Sequence, residues 1–253
     1  MTRVERGGQD EVVSRPTRIG FLAPMSHELE PLVRMLSLAP VEGTPDRRHA
    51  ATVDGVEFIA TTTGIGMAAA TGATERMLDD LAVDHVIVVG IAGGVAVDAE
   101  IGDVIVPMVV VDGSTGREHR PTTIGDVEPF GRIVTSDDLL VEPDAFARFE
   151  VDGVVALDME TSAIAAVCEL RGTPWSVFRS LSDRPSDGLV DQAIFELTQP
   201  DGSANMEALE RYLASDPTAA DRLAKLAYDM EIATNAAAAA AISACQQWRK
   251  DAG

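Results

Sequence analysis

Cysteine is nearly missing from this chain: its 253 residues include two, Cys168 and Cys245. Both fall in predicted helices among apolar neighbours, so they read as buried thiols, and neither a disulfide framework nor a thiolate cluster is available. The four histidines are scattered without metal-ligand spacing, and no metal or organic cofactor is expected. Basic residues are also scarce, 20 against 41 acidic ones, for a formal net charge of −21. Binding a phosphate backbone requires a basic face, so nucleic acid is excluded as a partner. Anionic ligands are repelled at long range, and a small neutral substrate fits best. No apolar run is long enough to span a bilayer, and the N-terminus lacks the apolar core of a signal peptide. The Ala-rich tract near Ala236 is broken by Ser and flanked by charge, which marks a packed helix. A cytoplasmic protein without a membrane partner is expected.

What is present is ordinary for a globular protein, 46% hydrophobic and 24% charged. The length suits one α/β domain with a sizeable core. Residues 1–16 are charged, contain glycine and show no apolar period, so they are expected to be poorly ordered, with the domain running over 17–253. No internal repeat is found.

The rest of the chain is organised around 154–187. An apolar run from Val154 to Leu157 ends in acids at Asp158 and Glu160. Ala163, Ile164, Val167 and Cys168 then fall at the spacing of one buried helix face, stopped by Gly172 and Pro174. A second run, Trp175 to Leu181, ends at Asp183. This is strand, helix, strand, with a carboxylate past each strand end, where parallel α/β sheets place their ligands. Glu160 also fits a helix N-terminus and Asp183 a turn, the plain structural alternatives.

Upstream, TRIGFLAP is a short strand, and Met25, Leu29, Leu32, Val33 and Leu36 trace a helix with Ser26 as its N-cap and Glu28 in its first turn. Ala51 to Thr63 forms a hairpin turning at Asp54-Gly55, followed by the glycine turn Gly64-Ile65-Gly66 and another helix. The strand at Val83 to Val89 ends in GIAGGVA, whose glycine spacing does not fit a dinucleotide fingerprint. A long final helix spans Asp221 to Trp248.

LDMETSAIA followed by FRSLSD resembles the signature pair of the nucleoside phosphorylase/nucleosidase superfamily, and TTTGIGMAAAT, GIAGG and IGDVIVPMVVVD resemble its intervening segments. The resemblance covers roughly 17–112 and 130–184. It implies a three-layer α/β/α fold with a central mixed, largely parallel sheet. It also implies a purine nucleosidase that hydrolyses an adenine-type nucleoside, methylthioadenosine- or S-adenosylhomocysteine-like. Asp183 would serve the purine at N7, Glu160 the ribose hydroxyls, and Glu28 the attacking water, with Arg179 steering the nucleophile or holding Glu160. Ile65, Ala92, Gly93, Ser136, Asp137, Asp158, Met159, Ser182 and Phe195 are the implied substrate contacts. Relatives complete their sites across a subunit interface, which implies a homodimer.

Phosphorolysis is the alternative reaction, but it requires several cationic contacts, and MSHELE and TTTGIGM hold no arginine. Arg47 or Arg48 lies near one arginine position of phosphorylase relatives. A non-catalytic binding module would have no need of an acid at Asp183.

Two stretches depart from the resemblance. Beyond Asp112 the expected aromatics are replaced by a text with Arg117, His119 and Arg120, either a solvated loop or a contact for a polar 5′ group. The added segment from Pro185 to Pro217 is expected to form a lid from Phe195 and an amphipathic helix bearing Met206, Leu209, Tyr212 and Leu213.

Overall fold

The structure, a computed structural model, describes residues 17–44, 47–96, 98–138, 143–184, 187, 189, 191–199 and 201–251. The expected loose segment at 1–16 lies outside them. The chain opens with β1 (Thr17–Ala23), α1 (Ser26–Met35), β2 (Ala39–Pro40), β3 (His49–Val53), β4 (Val56–Thr62), α2 (Met67–Asp80) and β5 (His85–Gly94). Four short strands follow, β6 (Val104–Ile105), β7 (Val109–Asp112), β8 (Glu118–His119) and β9 (Arg132–Thr135). Then come α3 (Pro143–Val151), β10 (Val154–Asp158), α4 (Thr161–Arg171), β11 (Trp175–Asp183), α5 (Gln192–Phe195), α6 (Met206–Ser215) and α7 (Ala219–Asp251).

One mixed sheet runs β2-β3-β4-β1-β5-β10-β9-β7-β8, with β11 on β5 and β6 beyond it. The pairs β1/β4, β1/β5, β5/β11, β9/β10 and β7/β9 are parallel. β5 is the branch strand: His85–Val88 pair with β1, its length pairs with β11, and Gly93-Gly94 meet β10 antiparallel.

Alternation along these strands sends residues to opposite faces, and each face has its own helices. Ile19, Phe21, Ile87, Val89 and Phe178 pack with Leu29 and Leu32 of α1 and with Ala237, Ala238, Ala241 and Ala244 of α7. Leu22, Val86, Val88 and Val177 pack with Ala70 and Met77 of α2 and with Ala163, Ile164 and Cys168 of α4. The result is the three-layer α/β/α arrangement. Both cysteines are free and buried, one in each core, with burial pushing each thiol up to about 12.

Gly172 ends α4 in the left-handed region (φ 68°), with Thr173 N donating to Cys168 O (2.9 Å), as a glycine C-cap requires. Three local expectations are corrected. Met25, not Ser26, is the N-cap of α1, with extended backbone and no side-chain cap bond. The final helix starts at Ala219, two residues earlier than its charge pattern suggests, and reaches Asp251. In α6 only Ala208 and Tyr212 are buried, while Met206 and Leu213 are exposed, so its apolar stripe has little to pack against.

Candidate active site

The strand ends converge on one cavity of about 750 Å³. Pro24 and Met25 follow β1, Ile65 sits in the turn after β4, and Ile91 to Gly94 end β5. Ser136 follows β9, Met159 and Glu160 follow β10, and Ser182 and Asp183 end β11. The segments that terminate apolar strands thus supply the polar groups, as the hydrophobic runs ending in acids predict.

Beneath the cavity lies Arg179, fully buried on β11 and not part of the lining. Its Nη2 donates to Asp158 Oδ2 (2.6 Å), to Glu160 Oε2 (3.1 Å) and to Thr161 Oγ1 (3.2 Å). Nη1 donates to the Ile91 carbonyl (3.2 Å) and lies 3.7 Å from Glu28 Oε2. One guanidinium therefore holds three carboxylates from two parts of the chain. Of the two roles expected for Arg179, the geometry fits the holding of Glu160: the guanidinium meets the acids from below and does not line the cavity.

Each glutamate is also fixed by a backbone N–H. Glu28 Oε2 accepts from Ile91 N (2.7 Å), and Glu160 Oε1 accepts from Gly66 N (2.9 Å). The Gly64-Ile65-Gly66 turn has φ of 82° at Gly64 and 92° at Gly66, which aims the Gly66 donor at Glu160. Glu28 Oε1 is buried with no protein partner.

Burial dominates the protonation of these acids. It pushes Glu28 up to about 8, against the pull of Arg179 and of the Ile91 N–H. It pushes Glu160 up to about 7, with Asp158 adding to the rise and Arg179 opposing it. An acid whose folded pKa lies above its unfolded value binds its proton more tightly in the native state. Its contribution to stability is complete below the unfolded value and is lost as pH rises through the folded one. Burial depresses His85, which sits 2.8 Å from Ser176 Oγ, to about 4, so its contribution has the opposite sign and is largely complete by pH 7. Thermal melts from pH 7 to 8 are thus expected to show a falling Tm, and Glu28→Gln, which cannot ionise, flattens that fall. A Tm that rises over this interval in the parent protein contradicts the assignment.

Asp183 stands at the other side of the cavity, its Oδ1 accepting from Ser182 Oγ (2.8 Å). Burial pushes it up to about 6; the Ser182 hydrogen bond opposes this, and the charges of Asp187 and Asp229 add to it. A carboxyl with that pKa can carry a proton near neutrality and give it up to a base in contact with it.

Ile65, Ala92, Gly93, Ser136, Met159, Ser182 and Phe195 all line the cavity with the three acids. One expected contact is corrected. Asp137 is not in the lining; its Oδ1 accepts from Met67 N (2.7 Å) at the start of α2, while Asp138 faces the cavity. Asp158 borders the cavity, but both of its oxygens are taken by Thr135, Thr161 and Arg179.

The basic text after Asp112 is not a wall of this cavity: Arg117 and Arg120 are exposed, as a solvated loop predicts, and His119 is the exception. Glu118 and His119 form β8, with His119 buried, its Nδ1 2.9 Å from Glu169 Oε2 and Arg117 donating to the same oxygen (3.1 Å). Glu169 on α4 is the physical reason: one acid draws both groups onto the helix. Arg120 pairs with Glu118. The lid is also revised, because Phe195 and Ile194 line the cavity but no residue of α6 does. Leu226 and Met230 of α7 take that place, and Phe146 of α3 adds an aromatic wall. Sequence reasoning passed over all three because each sits on a helix whose apolar residues read as core.

A family model described as the phosphorylase superfamily matches residues 18–126 and 121–227. The 5′-methylthioadenosine/S-adenosylhomocysteine nucleosidase of Chromohalobacter salexigens is 29% identical over 237 residues, covering 78% of this chain and 98% of that protein. A solved Helicobacter pylori 5′-methylthioadenosine/S-adenosylhomocysteine nucleosidase, complexed with a pyrrolopyrimidine-pyrrolidinol compound, aligns with a TM-score of 0.67 at 18% identity. That alignment covers 92% of this chain and 99% of the other. The native futalosine hydrolase of Helicobacter pylori aligns with a TM-score of 0.65 at 20% identity, over 91% and 97% of the two chains. At these identities the structural likeness speaks to the fold.

Proposed function

The chain belongs to the phosphorylase superfamily, and from that premise we propose that it is a nucleosidase. It hydrolyses the N-glycosidic bond of an adenine-type nucleoside, methylthioadenosine- or S-adenosylhomocysteine-like, to free base and a ribose derivative. The observation that carries the choice of water over phosphate is Glu28, which lines the cavity with one oxygen fixed and the other without a protein partner. In its ionised form, Glu28 accepts a hydrogen bond from water and repels a phosphate dianion, and its free oxygen is placed to take a proton from water.

Departure of the base leaves an oxocarbenium-like ribosyl cation, as glycoside cleavage generally does. Asp183 gives its proton to the purine as the C–N bond breaks, so that the base leaves neutral. Glu160 faces the ribose and, once ionised, stabilises the cation. Glu28 takes a proton from the water that attacks the face opposite the base. A base with a pKa near the working pH suits that step.

Phosphorolysis finds no comparable support. Among the described residues Arg184 is the only arginine in the cavity lining, and it is held by Asp187 through two contacts of 3.1 Å beside Asp183. Arg48, near a position used by phosphorylase relatives, is buried and paired with Asp80. Met25, Phe195, Leu226 and Met230 offer an apolar wall for the 5′ substituent. Free adenine is therefore expected from methylthioadenosine in phosphate-free buffer, at a rate that added phosphate does not change. Strict dependence on phosphate would sink the reading.

Pairing into a homodimer belongs to the same proposal. It is supported by α4, where Leu170 is 82% exposed beside a shallow cavity it shares with Thr71, Glu75 and Arg117. A cytoplasmic setting is supported by two cysteines kept as buried thiols.

A further inference from the structure

Glu160 and Asp183 stand at strand ends, whereas Ile194, Phe195 and Thr198 reach the cavity from a stretch outside the sheet. Among the described residues that stretch bonds to itself, through a bridge between Thr198 and Ala204. Gln199 N also donates to Ser203 O (2.7 Å) and Asn205 N to Leu197 O (2.7 Å). Its helix α5 is a single turn of four residues, none of them buried, and so short a helix does not hold its own place. Arg222, near the start of α7, is what ties it down. Its Nη2 donates to the Leu189 carbonyl (3.3 Å) and to Asp191 Oδ2 (3.2 Å). Its guanidinium carbon stands 5.9 Å from the centre of the Tyr212 ring on α6. Asp191 passes the hold on: its other oxygen, Oδ1, accepts from Ile194 N (2.9 Å) as the N-cap of α5. A second hold lies further along, where a Cβ on Gly202 would stand 3.2 Å from Met25 Cγ.

We propose that Arg222 is a positioning residue for the 5′ subsite. Through Asp191 it fixes where Ile194 and Phe195 stand, and so sets the affinity for the 5′ substituent without itself lining the cavity. The frame it works from is rigid, because α7 lies against β5 and against β11, the strand that ends in Asp183. The side chains of Arg222 and Asp191 are 27% and 47% exposed, so their pairing adds little to global stability. Its effect is local: without it the turn that carries Phe195 loses its link to the frame that carries the acids. The assignment of this wall to the 5′ group rests on the nucleosidase reading.

Two measurements on the full-length protein test this, and one of them needs no turnover. Amide hydrogen exchange over 191–199 should be at least about tenfold faster in Arg222→Ala than in the parent, with β5 and β11 unchanged. In steady-state kinetics the KM for methylthioadenosine should rise about four- to fifteenfold, the worth of one to two buried methylene-sized groups. The kcat, and the KM for 5′-deoxyadenosine, which lacks the methylthio group, should change by less than about twofold, since neither depends on the 5′ wall. A merely structural role would lower Tm and weaken both nucleosides alike. Asp191→Asn keeps an acceptor for Ile194 N but drops the charge that Arg222 meets. It should show the same selective loss at smaller size, and it carries the test should Arg222→Ala not fold. Equal weakening of both nucleosides overturns the proposal, as does unchanged exchange over 191–199. Release of base from neither nucleoside by the parent protein would instead sink the nucleosidase reading, and exchange alone then decides whether Arg222 positions the wall.

Discussion

Asp183→Asn is expected to lower kcat by about 10²–10⁴-fold, the range associated with a positioned general acid, while nucleoside still binds. The amide preserves the shape of the side chain and can still meet Ser182 Oγ, which lies 2.8 Å from the carboxylate in the parent protein. It cannot deliver a proton. Without that proton the purine must leave as an anion, and the barrier rises in the chemical step alone, so KM should change far less than kcat. The pH dependence has a definite sign. Burial lifts Asp183 to about 6, so the fraction of free enzyme carrying the donor proton falls as pH rises past that value. The alkaline fall of kcat/KM assigned to this group should disappear from the residual activity of the variant. Steady-state kinetics on purified protein, with binding of a non-hydrolysable nucleoside analogue measured alongside, decide the matter. Near-full turnover in Asp183→Asn would remove it from the role of proton donor.

A second large loss is expected from a residue without a side chain. Gly90 lies on β5 with φ of 145°, and a Cβ added there would fall on the Glu28 carboxylate and within 2.8 Å of Arg179 Nη1. Neither neighbour can step aside. Glu28 is held by the Ile91 N–H, and Arg179 by Asp158, Glu160 and Thr161. Overpacking of a buried site costs about 1–3 kcal/mol, and the backbone conformation adds strain of the same order. Gly90→Ala is expected to lower Tm by several degrees and kcat/KM by at least about 10²-fold, since misplacing a reacting group by about 1 Å has that effect. Gly93→Ala is a useful control on the same strand, because its Cβ would stand 3.1 Å from Asp183 and press on the acid end instead. Equal activity of Gly90→Ala and the parent enzyme would mean that Glu28 is not held where the structure puts it.

Glu28, Glu160 and Asp183 were legible as a set because each follows an apolar strand, and strand ends in such sheets face the ligand. Neighbouring residues were harder to separate. Asp137 and Asp138 look alike in sequence, yet one meets the Met67 N–H of a helix 70 positions earlier and the other turns to the cavity. No local pattern reports a partner so remote. His119 was misread for the same reason, since Glu169, which draws it down, lies on another element. Periodicity marked the apolar residues of α6 and α7 equally well but could not say which helix met the cavity. Only α7 has strands β5 and β11 to lie against, and that contact carries Leu226 and Met230 to the site.

The placement of Arg179 also bears on the order in which the molecule comes together. Its partners are Glu28 early in the chain, Ile91 in the middle, and Asp158 and Glu160, 21 and 19 residues before it. None of these contacts is local in the chain except through the last strand-helix-strand unit. Closing such separations is slow, because chain entropy is lost before the contacts repay it. A partly formed sheet would hold an arginine and its acids in water, each well hydrated and none constrained. Emergence of the nascent chain past Asp183 is therefore the earliest moment at which a working centre can exist, and regained turnover is a more stringent sign of complete renaturation than regained helix.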